Sequence, residues 1–76
     1  MRQERAEVWR RLGAPDEQVG SVNEPRETVE NGAVWNEKWI YRGGTPRVVL
    51  WNRYDLVGIF RVGDDGSWAA ESLADA

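Results

Sequence analysis

The second half of this chain interleaves cationic and aromatic side chains: Lys38, Arg42, Arg47, Arg53 and Arg61 fall among Trp39, Tyr41, Trp51 and Tyr54. Three kinds of chemistry use such a set. Cations beside flat rings neutralise phosphates and stack bases, as single-stranded nucleic-acid binders do. Trp, Tyr and Arg are also the anchors most enriched at protein–protein contacts. Ring cages, finally, suit cations and planar ligands. Protein contact is the preferred reading, because the net charge is −3 and Glu37 falls among the aromatics. A single-stranded nucleic-acid binder on the same strands and a small-molecule pocket are the two alternatives.

Catalytic chemistry has little to work with. The chain holds no His and no Cys, which leaves Asp, Glu, Tyr41, Tyr54 and Lys38 as acid–base groups. Paired carboxylates support glycoside-type chemistry, but the acids here fall in turn sequences and in the polar stretch 16–32. Gly43-Gly44-Thr45-Pro46 has the composition of a hairpin turn, not the spacing of a phosphate loop. Asp64-Asp65-Gly66 supplies two carboxylates, where a calcium loop gathers about six to eight oxygens. No catalytic residue, metal site or cofactor is expected.

The elements that must position these side chains follow from periodicity. Residues 2–12 read as a helix, with Arg5, Val8, Trp9 and Leu12 on one stripe at the helical period. Gly13 and Pro15 end it. Residues 16–32 are polar and acidic and read as a mobile loop, with at most a short strand around 18–22. From Ala33 the period changes to two. Residues 33–70 then form an antiparallel β-meander with strands at 34–41, 47–51 and 56–62 and an edge strand at 67–70. Residues 71–76 are expected to fray. The fold class is therefore α+β: one domain over 1–76, with an N-terminal helix packed on a three- to four-stranded meander.

Register assigns the faces. A five-residue first loop sets Tyr41 opposite Arg47 and Trp39 opposite Val49; a four-residue second turn sets Trp51 opposite Leu56 and Val49 opposite Gly58. One face then carries Val34, Ile40, Val48, Leu50, Val57 and Ile59. The other carries Trp35, Glu37, Trp39, Tyr41, Arg47, Val49, Trp51 and Phe60. Both are apolar, yet a single short helix covers only one sheet face. The expected binding surface is the aromatic–arginine one, Trp39, Tyr41, Arg47, Trp51 and Phe60 with Arg53 at the turn, facing a protein partner or a second copy in a homodimer.

Composition sets the remaining bounds. A chain of 76 residues buries a modest fraction of its surface, and it lacks disulfides to compensate. Five Trp, two Tyr and one Phe supply the bulk of the core instead. Charge runs in blocks: 13–37 holds six acids against one Arg, while 38–61 holds Lys38 and four Arg against Asp55. No apolar run approaches the ~20 residues of a membrane span. The start, Met1-Arg2-Gln3-Glu4-Arg5, lacks a signal-peptide core. A cytoplasmic protein is the plain expectation.

The succession Leu12-Gly13-Ala14-Pro15-Asp16, Trp39-Ile40-Tyr41-Arg42, Val48-Val49-Leu50-Trp51 and Leu56-Val57-Gly58-Ile59 resembles the SmpA/OmlA-like domain of small outer-membrane assembly lipoproteins. The β-lactamase inhibitor proteins share that architecture. The resemblance spans roughly residues 6–62. It implies a helix ended by Leu12, Gly13 and Pro15, with Trp39 and Tyr41 on the first long strand. It also implies a habit of binding proteins through sheet and loops. The chain has no acylated cysteine or lipoprotein signal and no extra leading helix, so the envelope role is not expected to carry over.

Overall fold

The structure, a computed structural model, describes residues 3–76. Helix α1 (Gln3–Leu12) turns Arg5, Val8 and Leu12 of the expected stripe inward, whereas Trp9 remains 47 % exposed; residue 2, where the helix is expected to start, lies outside the described residues. Val8 is fully buried and Leu12 packs on the same core. Gly13 ends the helix at φ 79°, a left-handed conformation that costs glycine little. Its N–H reaches the Trp9 carbonyl at 2.7 Å. No helix among the described residues is long and apolar enough to cross a membrane.

Seven strands follow: β1 (Glu17–Gly20), β2 (Thr28–Glu30), β3 (Ala33–Trp35), β4 (Glu37–Tyr41), β5 (Arg47–Asn52), β6 (Asp55–Val62) and β7 (Trp68–Glu71). They form a five-stranded antiparallel sheet in the order β1-β4-β5-β6-β7 and a separate hairpin, β2-β3. The α+β class holds, with two more pairings than the meander supplies.

Both additions come from the stretch expected to be a mobile loop. β1 pairs with β4, and the chain before it is fixed by the Asp16 N–H on the Ile40 carbonyl at 2.8 Å. The Asp16 carboxylate in turn accepts the Arg42 N–H at 2.6 Å. Further along, Asn36 Nδ2 donates to the carbonyls of Glu24 at 3.1 Å and Val22 at 3.4 Å. The segment is thus ordered by backbone pairing and by one buried amide, neither of which hydropathy reveals. The tail is likewise tied down. Glu71 belongs to β7, and Leu73, in a 3-10 turn (Leu73–Asp75), packs against the core.

Two irregularities redistribute the sheet faces. The strand expected over 34–41 breaks at Asn36, which is 2 % exposed. Besides holding the loop, its Oδ1 accepts the Arg53 N–H at 2.9 Å, and its own N–H donates to the Trp51 carbonyl. The second irregularity lies in β6. Trp51 pairs with Leu56 as expected, but Leu50 pairs with Gly58 and Val49 with Ile59, because Val57 is an extra, bulged residue. An extra residue inverts the side to which every later side chain points. Ile59 therefore joins Trp39, Val49 and Trp51, and Phe60 joins Ile40 and Val48, the reverse of the expected split.

The result is three layers. α1 covers the inner face, and the β2–β3 hairpin lies on the outer side, with β3 packed near β5 and β6. Trp35 is buried there, beneath Lys38 Nζ at 5.0 Å from its ring centroid. Lys38 also bridges to Glu30 at 3.0 Å, fastening β2 to the sheet.

Candidate functional site

Trp39 and Trp51, beneath α1, and the half-exposed Trp9 on the helix make one aromatic cluster. Trp39 lies 4.9 Å from Trp51 and meets Trp9 edge-on at 5.8 Å. Trp39 and Trp51 are 2 % and 0 % exposed. Inside this apolar layer sits an ion pair: Arg5 Nη1 and Nη2 contact Glu37 Oε1 and Oε2 at 2.9 and 3.1 Å. Glu37 is buried and also accepts the Trp39 Nε1 proton at 2.8 Å. The guanidinium carbon of Arg5 stands 5.0 and 4.9 Å from the ring centroids of Trp39 and Trp51. Desolvating two charges is costly, and this pair offsets the cost with bidentate geometry, a third hydrogen bond and two ring faces.

Of the six residues expected at the binding surface, Trp39, Tyr41 and Trp51 therefore belong to the core of this single chain. Tyr41 is a structural donor. Its hydroxyl gives its proton to the Gly13 carbonyl at 2.9 Å, clamping the helix end to β4. Burial, and secondarily the negative charge of Asp16, pushes its pKa up to about 12. A phenol that holds its proton so firmly is a poor general base at neutral pH.

The other three lie apart from one another. Arg47 sits opposite Arg61 across the strands, and Glu71 lies between them at 2.7 Å from Arg47 Nε and 3.6 Å from Arg61 Nε. That placement relieves the like-charge repulsion of a direct cross-strand pair. Arg53 occupies the β5–β6 turn at φ 59°, with its N–H on Asn36 and its Nη1 on the Val22 carbonyl at 2.7 Å. It braces the loop. Phe60 is on the outer face, where its ring lies over Gly58 and stacks on Trp68 at 5.2 Å and 30°. Phe60, Trp68 and Val62 are half-buried, and Ala70, on the same face, is exposed.

The basic set that suggested phosphate contacts is engaged elsewhere. Arg42 pairs with Glu17, Lys38 with Glu30, Arg47 and Arg61 with Glu71, and Arg53 with a carbonyl. Of the rings that were to stack bases, Trp39, Tyr41 and Trp51 belong to the core with α1, and only Tyr54, in the β5–β6 turn, is exposed. A hollow of about 490 Å³ lies between α1 and the 3-10 turn, lined by Glu4, Ala6, Glu7, Arg10 and Leu73. Another of about 280 Å³ lies between β1 and β2, with Trp35 and Asn36 in its lining. Neither is bounded by Trp39 or Trp51. Among the described residues, no group of three or more His, Cys, Asp or Glu side chains is placed to hold a metal. The Asp64-Asp65-Gly66 sequence is a turn in which Asp65 Oδ1 accepts from the Ser67 N–H and hydroxyl, bonds that lower the Asp65 pKa.

Neither the Phe60–Trp68 stack nor the Arg5–Glu37 pair as a unit was foreseen from the sequence. A signal for the pair existed: each charge occupies a position in an otherwise apolar pattern, and the two are opposite in sign. Trp68 carried no comparable signal, because its stacking on Phe60 follows from the β6–β7 register, and the bulge then sets the sheet face on which the two rings lie. In comparisons with known proteins, the chain matches no family model, no curated protein and no solved structure.

Proposed function

We propose that this chain is a non-catalytic protein-binding domain, and that it binds through the outer sheet face at the β6–β7 end rather than through the aromatic layer under α1. The observation that carries this reading is the Phe60–Trp68 stack, two half-buried aromatic rings side by side on the face opposite the helix. Rigid aromatic side chains with apolar neighbours (here Ile40, Val48, Val62 and Ala70) are the usual anchors of protein contacts. The habit of binding proteins that the SmpA/OmlA-like resemblance implies supports the same reading at the level of fold.

A second apolar pair, Val29 and Val34, is exposed on the outside of the β2–β3 hairpin and serves as the control surface. Immobilised wild type and Val29→Thr are expected to retain the same protein, and Trp68→Ala is expected to lose it while keeping a wild-type circular dichroism spectrum. Undiminished retention by folded Trp68→Ala would overturn the assignment.

A further inference from the structure

The open edge of β7 has the geometry of a self-pairing strand. The Val62 N–H donates to the Pro46 carbonyl at 3.0 Å, so the backbone of Val62 faces β5 and not β7. Its pair, Trp68, must then direct its own N–H and C=O away from β6. The Gly63 N–H reaches the Ser67 carbonyl at 2.8 Å, which fixes the same alternation from the other side. Ser67, Ala69 and Glu71 face β6; Trp68 and Ala70 face outward, beyond the last strand of the sheet.

Edge strands are commonly guarded by charge, by proline or by a bulge. The opposite edge, β1, is guarded: the charges of Glu17 and Arg42 are both exposed there, and the strand ends at Gly20 with φ 75°. Residues 68–70, Trp-Ala-Ala, carry no such guard. The one charge on β7, Glu71, is turned inward and balanced by Arg47 and Arg61, so it does not repel an incoming copy.

We infer that the partner of this edge is a second copy of the chain, paired antiparallel through β7 about a two-fold axis. The inference rests on the reading that the outer face at β6–β7 binds protein, and it names that protein. Two-fold symmetry and the outward groups select a register. Ala69 lies opposite Ala69 of the second copy, and Trp68 lies opposite Ala70 of the second copy. The N–H and C=O groups of both outward residues are then satisfied. The pairing sets a large ring against a small methyl on one face. It also joins the two Phe60–Trp68 stacks into one apolar strip across the dimer.

Size exclusion with light scattering over a wide concentration range tests this. The wild type is expected at twice 8.7 kDa. Ala70→Pro removes an outward N–H that β6 does not use, and is expected at the single-chain mass with an unchanged circular dichroism spectrum. Hydrogen exchange on the wild type gives a readout that does not depend on a variant folding. The Trp68 and Ala70 amides are expected to slow as concentration rises into the dimer range. A dimer in which both amides stay fast, or that survives in folded Ala70→Pro, would overturn the edge pairing. A wild type that stays at the single-chain mass throughout would overturn the second copy as partner. In that case the face reading stands or falls separately, on whether Trp68→Ala loses a protein that wild type retains.

Discussion

The two faces of the sheet solve the same problem differently. On the inner face, α1 lays Val8 onto Trp39, Val49, Trp51 and Ile59, and an ion pair is sealed within the apolar layer. On the outer face, β3 of a two-stranded hairpin packs near β5 and β6 with Trp35 buried, while Phe60 folds over Gly58 and stacks on Trp68. The inner arrangement is closed and held by directional bonds. The outer one is left half open at Phe60 and Trp68, which are only half-buried. A 76-residue domain with no disulfide depends for its stability on the face where packing is complete.

That contrast can be broken by experiment. Trp51→Ala empties the centre of the inner face and is expected to cost about 4 kcal/mol in urea denaturation, enough to unfold much of a domain this small. Trp68→Ala, on the outer face, is expected to cost about 1 kcal/mol. Equal losses at the two sites would dissolve the distinction. Next in size, Glu37→Gln leaves the Arg5 guanidinium buried without its counter-charge and is expected to cost about 3 kcal/mol. The double variant Arg5→Met/Glu37→Gln should recover part of that loss, since the unpaired charge is gone. Additive losses would show that the pair acts as two independent groups.

A third expectation concerns pH. Folded Tyr41 keeps its proton up to about 12, whereas an unfolded tyrosine releases it near ~10. Its contribution is complete below the unfolded value and is lost as pH rises toward the folded one. Thermal stability should therefore fall between about pH 10 and 12, by on the order of 2 kcal/mol. Tyr41→Phe should flatten that decline and cost about 1 kcal/mol at neutral pH, from the orphaned Gly13 carbonyl. A decline unchanged in Tyr41→Phe would assign it to another group. The smallest effect is expected at Gly58, where an added Cβ would stand 2.6 Å from Phe60 Cζ. Because that atom is the far end of a ring that can swing away, Gly58→Ala should cost under ~1 kcal/mol. It should still change Trp68 fluorescence by disturbing the stack.

Features governed by local chemistry were readable from the residues. The helix stripe, the Gly13 stop, the strand locations and the first hairpin register all follow from period and turn type. Features set by groups far apart in the chain were not. β1 has a single apolar side chain, Val19, and exists because β4 offers it an edge. The stretch from 21 to 27 is held by Asn36, whose buried amide reads in the sequence as one more polar residue in an alternating strand. The candidate site moved for the same reason. Trp39, Tyr41 and Trp51 were grouped correctly on one face, and the side on which α1 docks decided that this group became core.

Val57 shows how much one residue can redirect. A strand is a two-letter code, in and out, and the bulge acts on it as a frameshift acts on a message. Upstream of Val57 the frame set by β5 holds; downstream, from Gly58 to Val62, each side chain is read in the other frame. Ile59 is thereby delivered to the interior, and Phe60 to the surface beside Trp68. A chain one residue shorter at this point would keep the same composition of strands and present a different molecule to its surroundings.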